Sequence, residues 1–249
     1  MILTKKRNFE AFIFVVPALL ILGTFVYFPL IKNIIYSFQS FTLSSTTREW
    51  VGLANYKQLF SDKIILACLK NNILYAVISI IVQVGFGLVL AAVLEDAVFQ
   101  KAAPFFRSVY FIPTVVSMTV VCLLFKFVYN PQMGLLNSFL QAVGLDNLTK
   151  IWLGSKKTAM YAVIAVSQWQ STGYVTMLFI VAIQKIPKDL YEAAEVDGAG
   201  KIKKFFYITV PQVKQMFFVT MILTVVGAFT VFNEPYILTG GGPGTATMV

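Results

Sequence analysis

Five long apolar runs, at about 9–38, 71–94, 108–129, 158–183 and 216–238, organise this chain of 249 residues. The hydrocarbon core of a bilayer is about 30 Å thick, so roughly 20 apolar residues at 1.5 Å each span it as a helix. Inside it no water satisfies backbone N–H and C=O groups, which leaves the helix as the form such runs take. Composition agrees: 58% of the residues are hydrophobic and 12% charged, against about a quarter charged in a soluble domain. The mean hydropathy is +0.77. The fold class is therefore an all-α polytopic membrane protein.

The first run follows Lys5-Lys6-Arg7, a start that a signal peptide shares. It is too long for a signal core and shows no small-residue cleavage site, so it reads as a retained first span, tilted or kinked by Pro17 and Pro29. Residues 39–70 read as an ordered, turn-rich loop around Trp50-Val51-Gly52-Leu53-Ala54-Asn55-Tyr56. Within 130–157, Leu135, Leu136, Phe139, Leu140 and Val143 recur at helical spacing and predict an amphipathic helix. Lysine and arginine are densest in 1–8, 95–107 and 184–215, which places those segments and the N-terminus in the cytoplasm. That bias accounts for the net charge of +9 without a nucleic-acid partner.

Catalytic chemistry has little to work with. The chain contains no histidine, and no P-loop, zinc motif, nucleophile elbow or paired carboxylates. Cys68 and Cys122 lie far apart and read as small hydrophobes. No cofactor or metal is expected, and the chain is not expected to be an enzyme. An ion-driven carrier would carry ionisable groups at mid-membrane, and few are present. Lys126 snorkels from the end of its run. Glu234, beside Asn233, either lines a polar cavity or sits at the interface. Gln168-Trp169-Gln170-Ser171-Thr172 falls mid-run, and two readings stay open: stacking and hydrogen bonding to a sugar, or bonding between helices.

The longest polar interruption is Tyr191-Glu192-Ala193-Ala194-Glu195-Val196-Asp197-Gly198-Ala199, continuing to Ile208-Thr209-Val210-Pro211. Pro187 suits the first helical turn, Leu190, Ala193 and Ala194 share a face, and Gly198 suits a helix stop. A second amphipathic segment is expected to set Ile202, Phe205 and Phe206 opposite Lys201, Lys203 and Lys204, with Pro211 closing it.

This stretch resembles the EAA signature of permease subunits of binding-protein-dependent ABC importers: Glu-Ala-Ala, three residues, Gly, nine residues, Ile, one residue, Leu-Pro. Glu192-Ala193-Ala194, Gly198, Ile208 and Pro211 keep the spacing, and Val210 replaces the usual Leu. Trp50–Tyr56, Gly134-Leu135-Leu136-Asn137, Asp197-Gly198-Ala199 and Leu238-Thr239-Gly240-Gly241-Gly242-Pro243 are similar to the carbohydrate branch, and more closely to its maltose-system F and glycerol-phosphate-system A subunits. The resemblance implies a type I importer transmembrane-domain fold in the bacterial cytoplasmic membrane. It implies a permease for a sugar or oligosaccharide, with a glycerol-phosphate or other polar-solute permease as the alternative and an ion-coupled secondary transporter behind it.

Implied partners are a second permease, two cytoplasmic ATP-binding subunits, an external solute-binding protein and membrane lipid. Glu192, Ala193, Ala194, Asp197, Gly198, Ile208 and Pro211 would form the coupling site to the ATPase. Gln168, Trp169, Gln170, Asn233 and Glu234 are the candidates for the solute pathway. Members of this branch carry six spans, of which five are present, so a truncated product is expected.

Overall fold

The computed structural model describes residues 5–41, 48–96, 98–99 and 101–249, and of residues 5–11 the backbone alone. The side chains of Lys5, Lys6 and Arg7 thus lie outside the described residues, as does 42–47 of the first loop. Two units are present, Met1–Ile65 and Leu66–Val249.

In the first unit α1 (Lys5–Leu22) passes through a π turn, Gly23–Tyr27, into α2 (Phe28–Ser37). Pro29 sits in the first turn of α2, just after this wide turn, where its missing N–H leaves no break. A two-residue antiparallel pair follows, β1 (Gln39–Ser40) and β2 (Glu49–Trp50), with Gln39 opposite Trp50. Helix α3 (Ala54–Ser61) is pinned beside it, because Asn55 Nδ2 donates to the carbonyls of Ser37 (2.9 Å) and Gln39 (3.0 Å). Phe38 stacks on Trp50, with ring centroids 5.7 Å apart. The tryptophan-to-tyrosine segment is ordered by these contacts.

Helix α4 (Lys63–Ser79) begins ahead of the position 71 expected from hydropathy and continues through a π turn, Ile80–Phe86, into α5 (Gly87–Glu95). The run expected at 108–129 is two helices, α6 (Ala103–Val115) and α7 (Met118–Val128), bent by 99°. Val116 and Ser117 are extended at the break, three residues after Pro113. Then come α8 (Leu135–Ala142), which is the amphipathic segment, and α9 (Ala159–Ile183). The polar interruption forms α10 (Lys188–Val196), α11 (Lys201–Lys204), a π turn Phe205–Thr209 and α12 (Val210–Gln212). A 72° bend leads into α13 (Lys214–Phe229). The expected run 216–238 stops there and resumes as α14 (Asn233–Thr239).

Helix α9 is the pillar of the second unit, with most of its 25 residues buried. Its first half packs with Tyr75, Val121, Cys122 and Tyr129. Its second half packs with Val84, Leu88, Ala91 and Val213. Polar groups lie between these apolar clusters. Among the described residues, Phe12–Ser37 and Lys63–Glu95 are each long and apolar enough to cross a membrane; two bent pairs, Ala103–Val115 with Met118–Val128 and Lys201–Gln212 with Lys214–Phe229, reach that length and hydropathy only when each pair is taken together, as a broken span or a re-entrant loop.

Candidate functional site

Helix α10 starts one residue later than its sequence suggests. Pro187 has extended ψ and precedes the first helical residue instead of occupying it. The helix ends where Gly198 adopts φ +74°. The Gly198 N–H then donates to Glu195 O (3.0 Å) and the Ala199 N–H to Ala194 O (2.8 Å), the paired bonds of a Schellman stop. A left-handed residue with a Cβ costs about 1–2 kcal/mol, which is why glycine stands there.

One face of this helix is fastened to the protein and the other is open. Tyr191 packs on the lower apolar cluster, and its hydroxyl shares a 2.9 Å hydrogen bond with buried Thr209. Glu192, Ala193 and Asp197 are exposed, and Val196 is 89% exposed. In the following segment the expected apolar face is divided. Phe205 and Ile208, three residues apart, pack inward, whereas Ile202 and Phe206, four residues apart, share the face that points out. Pro211 lies within α12, and the helix breaks only after Gln212.

One ion pair, Lys201–Asp96, and one hydrogen bond, Gln184–Glu95, join this region to the end of α5 and the loop after it. Lys201 Nζ lies 2.9 Å from Asp96 Oδ1 and 2.9 Å from Oδ2. Lys204 Nζ bonds Glu195 Oε1 at 2.5 Å. Glu95 pairs with Arg107 and accepts from Gln184 Nε2 (3.2 Å). The Val98 N–H, 3.0 Å from Asp96 Oδ1, and then Lys201 hold the Asp96 carboxyl below its ordinary range. Two of the three segments rich in basic residues, 95–107 and 184–215, are thus in contact through Asp96–Lys201 and Glu95–Gln184.

Between the two apolar clusters is a cavity of about 390 Å³. Three helical segments each supply a polar pair four residues apart: Ser79 and Gln83, Ser167 and Ser171, Thr220 and Thr224. The break after α13 adds Thr230, Asn233 and Glu234. Glu234 is only 7% exposed and accepts from the Tyr75 hydroxyl at 3.2 Å, with Ser167 also on the wall. Neither Lys nor Arg lines this space. Hydroxyls, two amides (Gln83 and Asn233) and one carboxylate in a low-dielectric pocket suit a solute that offers many O–H groups.

The pathway candidates are divided by this geometry. Asn233 and Glu234 line the cavity. Gln168 lies behind its wall, donating to Ser79 Oγ at 2.9 Å and to Ile164 O at 3.3 Å. Gln170 points elsewhere, and its Nε2 donates to Val116 O (2.7 Å), the carbonyl freed by the α6–α7 break. Trp169 is half exposed on the outer side of α9 and tilts against Phe125 at 5.4 Å. Tyr75, Ser79, Gln83, Thr220 and Thr224 carry a signal that hydropathy conceals: polar residues four apart within apolar runs share one helix face. Cys68 and Cys122 are free thiols, and the described residues contain no cluster of three or more metal-ligating side chains.

A helical domain with helices long and apolar enough to cross a membrane, enclosing a polar cavity, has the form of a transmembrane transport domain. The same fold occurs in the crystal structure of a bacterial ABC transporter involved in the import of the acidic polysaccharide alginate, with a TM-score of 0.80, 22% identity and coverage of 98% of this chain and 81% of that one. The family model for the binding-protein-dependent transport system inner membrane component matches residues 64–249. Probable ABC transporter permease protein YurN of Bacillus subtilis (strain 168) is 59% identical over 247 residues, 99% of this chain and 84% of that protein. The sulfoquinovosyl glycerol transport system permease protein SmoG of Agrobacterium fabrum (strain C58) is 32% identical over 238 residues, 95% of this chain and 76% of that protein. The chain belongs to the family of binding-protein-dependent transport system inner membrane components, as an ABC permease subunit and not an enzyme.

Proposed function

We propose that this permease forms half of the pathway of an ATP-driven importer for a sugar or oligosaccharide, and that its α10 segment is the contact with a cytoplasmic ATPase. The observation that carries the solute class is the cavity wall, with hydroxyls on three helical segments and no cationic side chain. A phosphorylated solute calls for Arg or Lys, so the glycerol-phosphate alternative lacks its recognition group. SmoG, a relative named for sulfoquinovosyl glycerol transport, is in keeping with a carbohydrate solute.

Coupling rests on the two faces of α10. The Tyr191 side is fixed to the bundle, while Glu192, Ala193 and Val196 present small and acidic groups outward. A partner groove can accept such a helix closely, with Glu192 making charge-assisted bonds there. Movement of α10 is then transmitted through Lys201–Asp96 and the lower apolar cluster to α5, α9 and α13, which rock around the cavity. The energy comes from ATP bound in other subunits. A second permease, two ATPases and an external solute-binding protein complete the assembly, with the N-terminus and residues 184–215 on the cytoplasmic side.

Uptake of a labelled oligosaccharide into proteoliposomes holding the assembled importer tests this reading. Gly198→Arg leaves membrane insertion intact and abolishes ATP-dependent uptake. Normal uptake by that variant refutes coupling through α10, and saturable uptake by the unaltered assembly of phosphorylated solutes alone refutes the sugar assignment.

A further inference from the structure

A second cavity, also of about 390 Å³, opens at the end of α9 remote from the coupling loop. The 25 residues of α9 extend about 37 Å at 1.5 Å each, more than the roughly 30 Å of a hydrocarbon core; given the cytoplasmic placement of α10 proposed above, on which this step rests, the cavity belongs to the other face of the membrane. Lys150 and Lys157 stand at it, with Tyr129, Trp152, Tyr161 and Leu136 on its walls. Neither lysine is ion-paired with a carboxylate among the described residues. The cavity is therefore electropositive and largely apolar at once.

The segment that carries Lys150 is held in place. Asn137, buried, donates to the carbonyls of Pro131 (3.2 Å) and Lys150 (3.1 Å) and accepts from Trp152 Nε1 (2.8 Å). Thr158 Oγ1 donates to Trp152 O at 2.8 Å. Lys150 Nζ lies 6.0 Å from the centre of the Trp152 ring. Below the lysines an apolar track continues along α9, because Tyr161, Ala165 and Trp169, each four residues after the last, are all exposed. Trp169, which does not line the polar cavity, is the lower end of this track, beside Phe125.

We propose that this cavity binds an anionic glycerophospholipid. Its phosphodiester sits between Lys150 and Lys157, and one acyl chain lies along Tyr161, Ala165 and Trp169. Tyrosine and tryptophan rings belong at headgroup depth, and a lysine near an anionic lipid surface contributes roughly a fivefold gain in affinity. The continuous apolar track selects a lipid over a free anion of the same charge, since inorganic phosphate gains nothing from it.

Native mass spectrometry of the assembled importer in a non-ionic detergent, titrated with dioleoyl phosphatidylglycerol or dioleoyl phosphatidylcholine, tests the proposal. The unaltered protein retains phosphatidylglycerol; the Lys150→Gln/Lys157→Gln double variant binds it about thirtyfold less tightly; and phosphatidylcholine binds both weakly and equally. Ala165→Trp, which blocks the track and leaves both lysines, also weakens phosphatidylglycerol several-fold. Equal retention by the unaltered and double-variant proteins overturns the proposal. So does displacement of the lipid by millimolar inorganic phosphate, which marks a free-anion site. Loss of affinity for the external solute-binding protein in the double variant, with lipid retention unchanged, marks a protein-docking surface and overturns it as well.

Discussion

Gly173 of α9 faces the backbone carbonyl of Tyr110 in α6 so closely that a Cβ at position 173 would lie 1.8 Å from that oxygen. Small residues let membrane helices approach in this way, and here the obstruction is main chain, which cannot swing aside. Gly87 makes a milder approach, where an added Cβ meets the Thr176 hydroxyl at 3.3 Å.

The two glycines should therefore respond differently to alanine. Overpacking costs about 1–3 kcal/mol where a core can adjust, and Gly173→Ala is expected at or above the top of that range, with Gly87→Ala below it. Thermal unfolding of the purified protein in one detergent measures the difference. Equal midpoints for the two variants contradict the packing described.

At Gly198 the requirement is conformational, because φ is +74° and open space surrounds the position. Asn enters the left-handed region more readily than other residues with a side chain, while a β-branched residue there is a steric outlier. Gly198→Asn is expected to keep most of the uptake, and Gly198→Val to lose it while ATP hydrolysis by the partner subunits persists uncoupled. Parallel assays of uptake and hydrolysis in proteoliposomes separate the two effects.

Period and punctuation made much of this fold readable from sequence. The apolar runs marked the helices, and Gly198 marked the end of α10. What escaped was local backbone irregularity. Nothing in the hydropathy of Val116-Ser117 or Val231-Phe232 marks a break, yet helices stop there. Gln170 supports the first of these breaks by donating to Val116 O, a use for a polar residue that depends on a neighbour 54 positions away. Phe206 faces outward and Phe205 inward, as neighbours about 100° apart on a helix do, which grouping the two phenylalanines on one face overlooked. In the cavity, Asn233 and Glu234 stood out by charge and polarity at the end of a run. Thr220 and Thr224 were concealed because threonine is common in membrane helices and bonds its own preceding carbonyls, as Thr220 does to Met216 at 3.0 Å.

Tyr75 and Glu234 close one wall of the polar cavity from two helices, and removing the donor leaves a buried acceptor short of a partner. That loss costs about 1–3 kcal/mol. Tyr75→Phe is expected to lower the unfolding midpoint and the initial rate of solute uptake. Glu234→Gln keeps an acceptor for Tyr75 and removes the charge, so stability should change less than in Tyr75→Phe, while the KM for solute shifts. Uptake kinetics alongside thermal unfolding check both halves; a Tyr75→Phe protein indistinguishable from the unaltered one in both assays would remove Tyr75 from the site.

The Asp96–Lys201 pair gives the contact between the loop after α5 and α11 a definite pH response. The Val98 N–H and the Lys201 ammonium depress the folded carboxyl's pKa. Its contribution is therefore complete above the unfolded value of about 3.9 and is lost as pH falls through the lower folded value. From pH 5 upward into the neutral range the contact stays closed. Asp96→Asn at neutral pH discards the ion pair but keeps an oxygen for the Val98 N–H, whereas Asp96→Ala discards both. Amide hydrogen exchange at Val98 should thus rise in the order unaltered, Asn, Ala. An exposed pair contributes about 0.2–1 kcal/mol, so the Asn step is at most about fivefold, and it shrinks in molar salt as the Debye length falls to about 3 Å. Loosening of residues 96–99 in the unaltered protein between pH 7 and pH 5 contradicts the pairing.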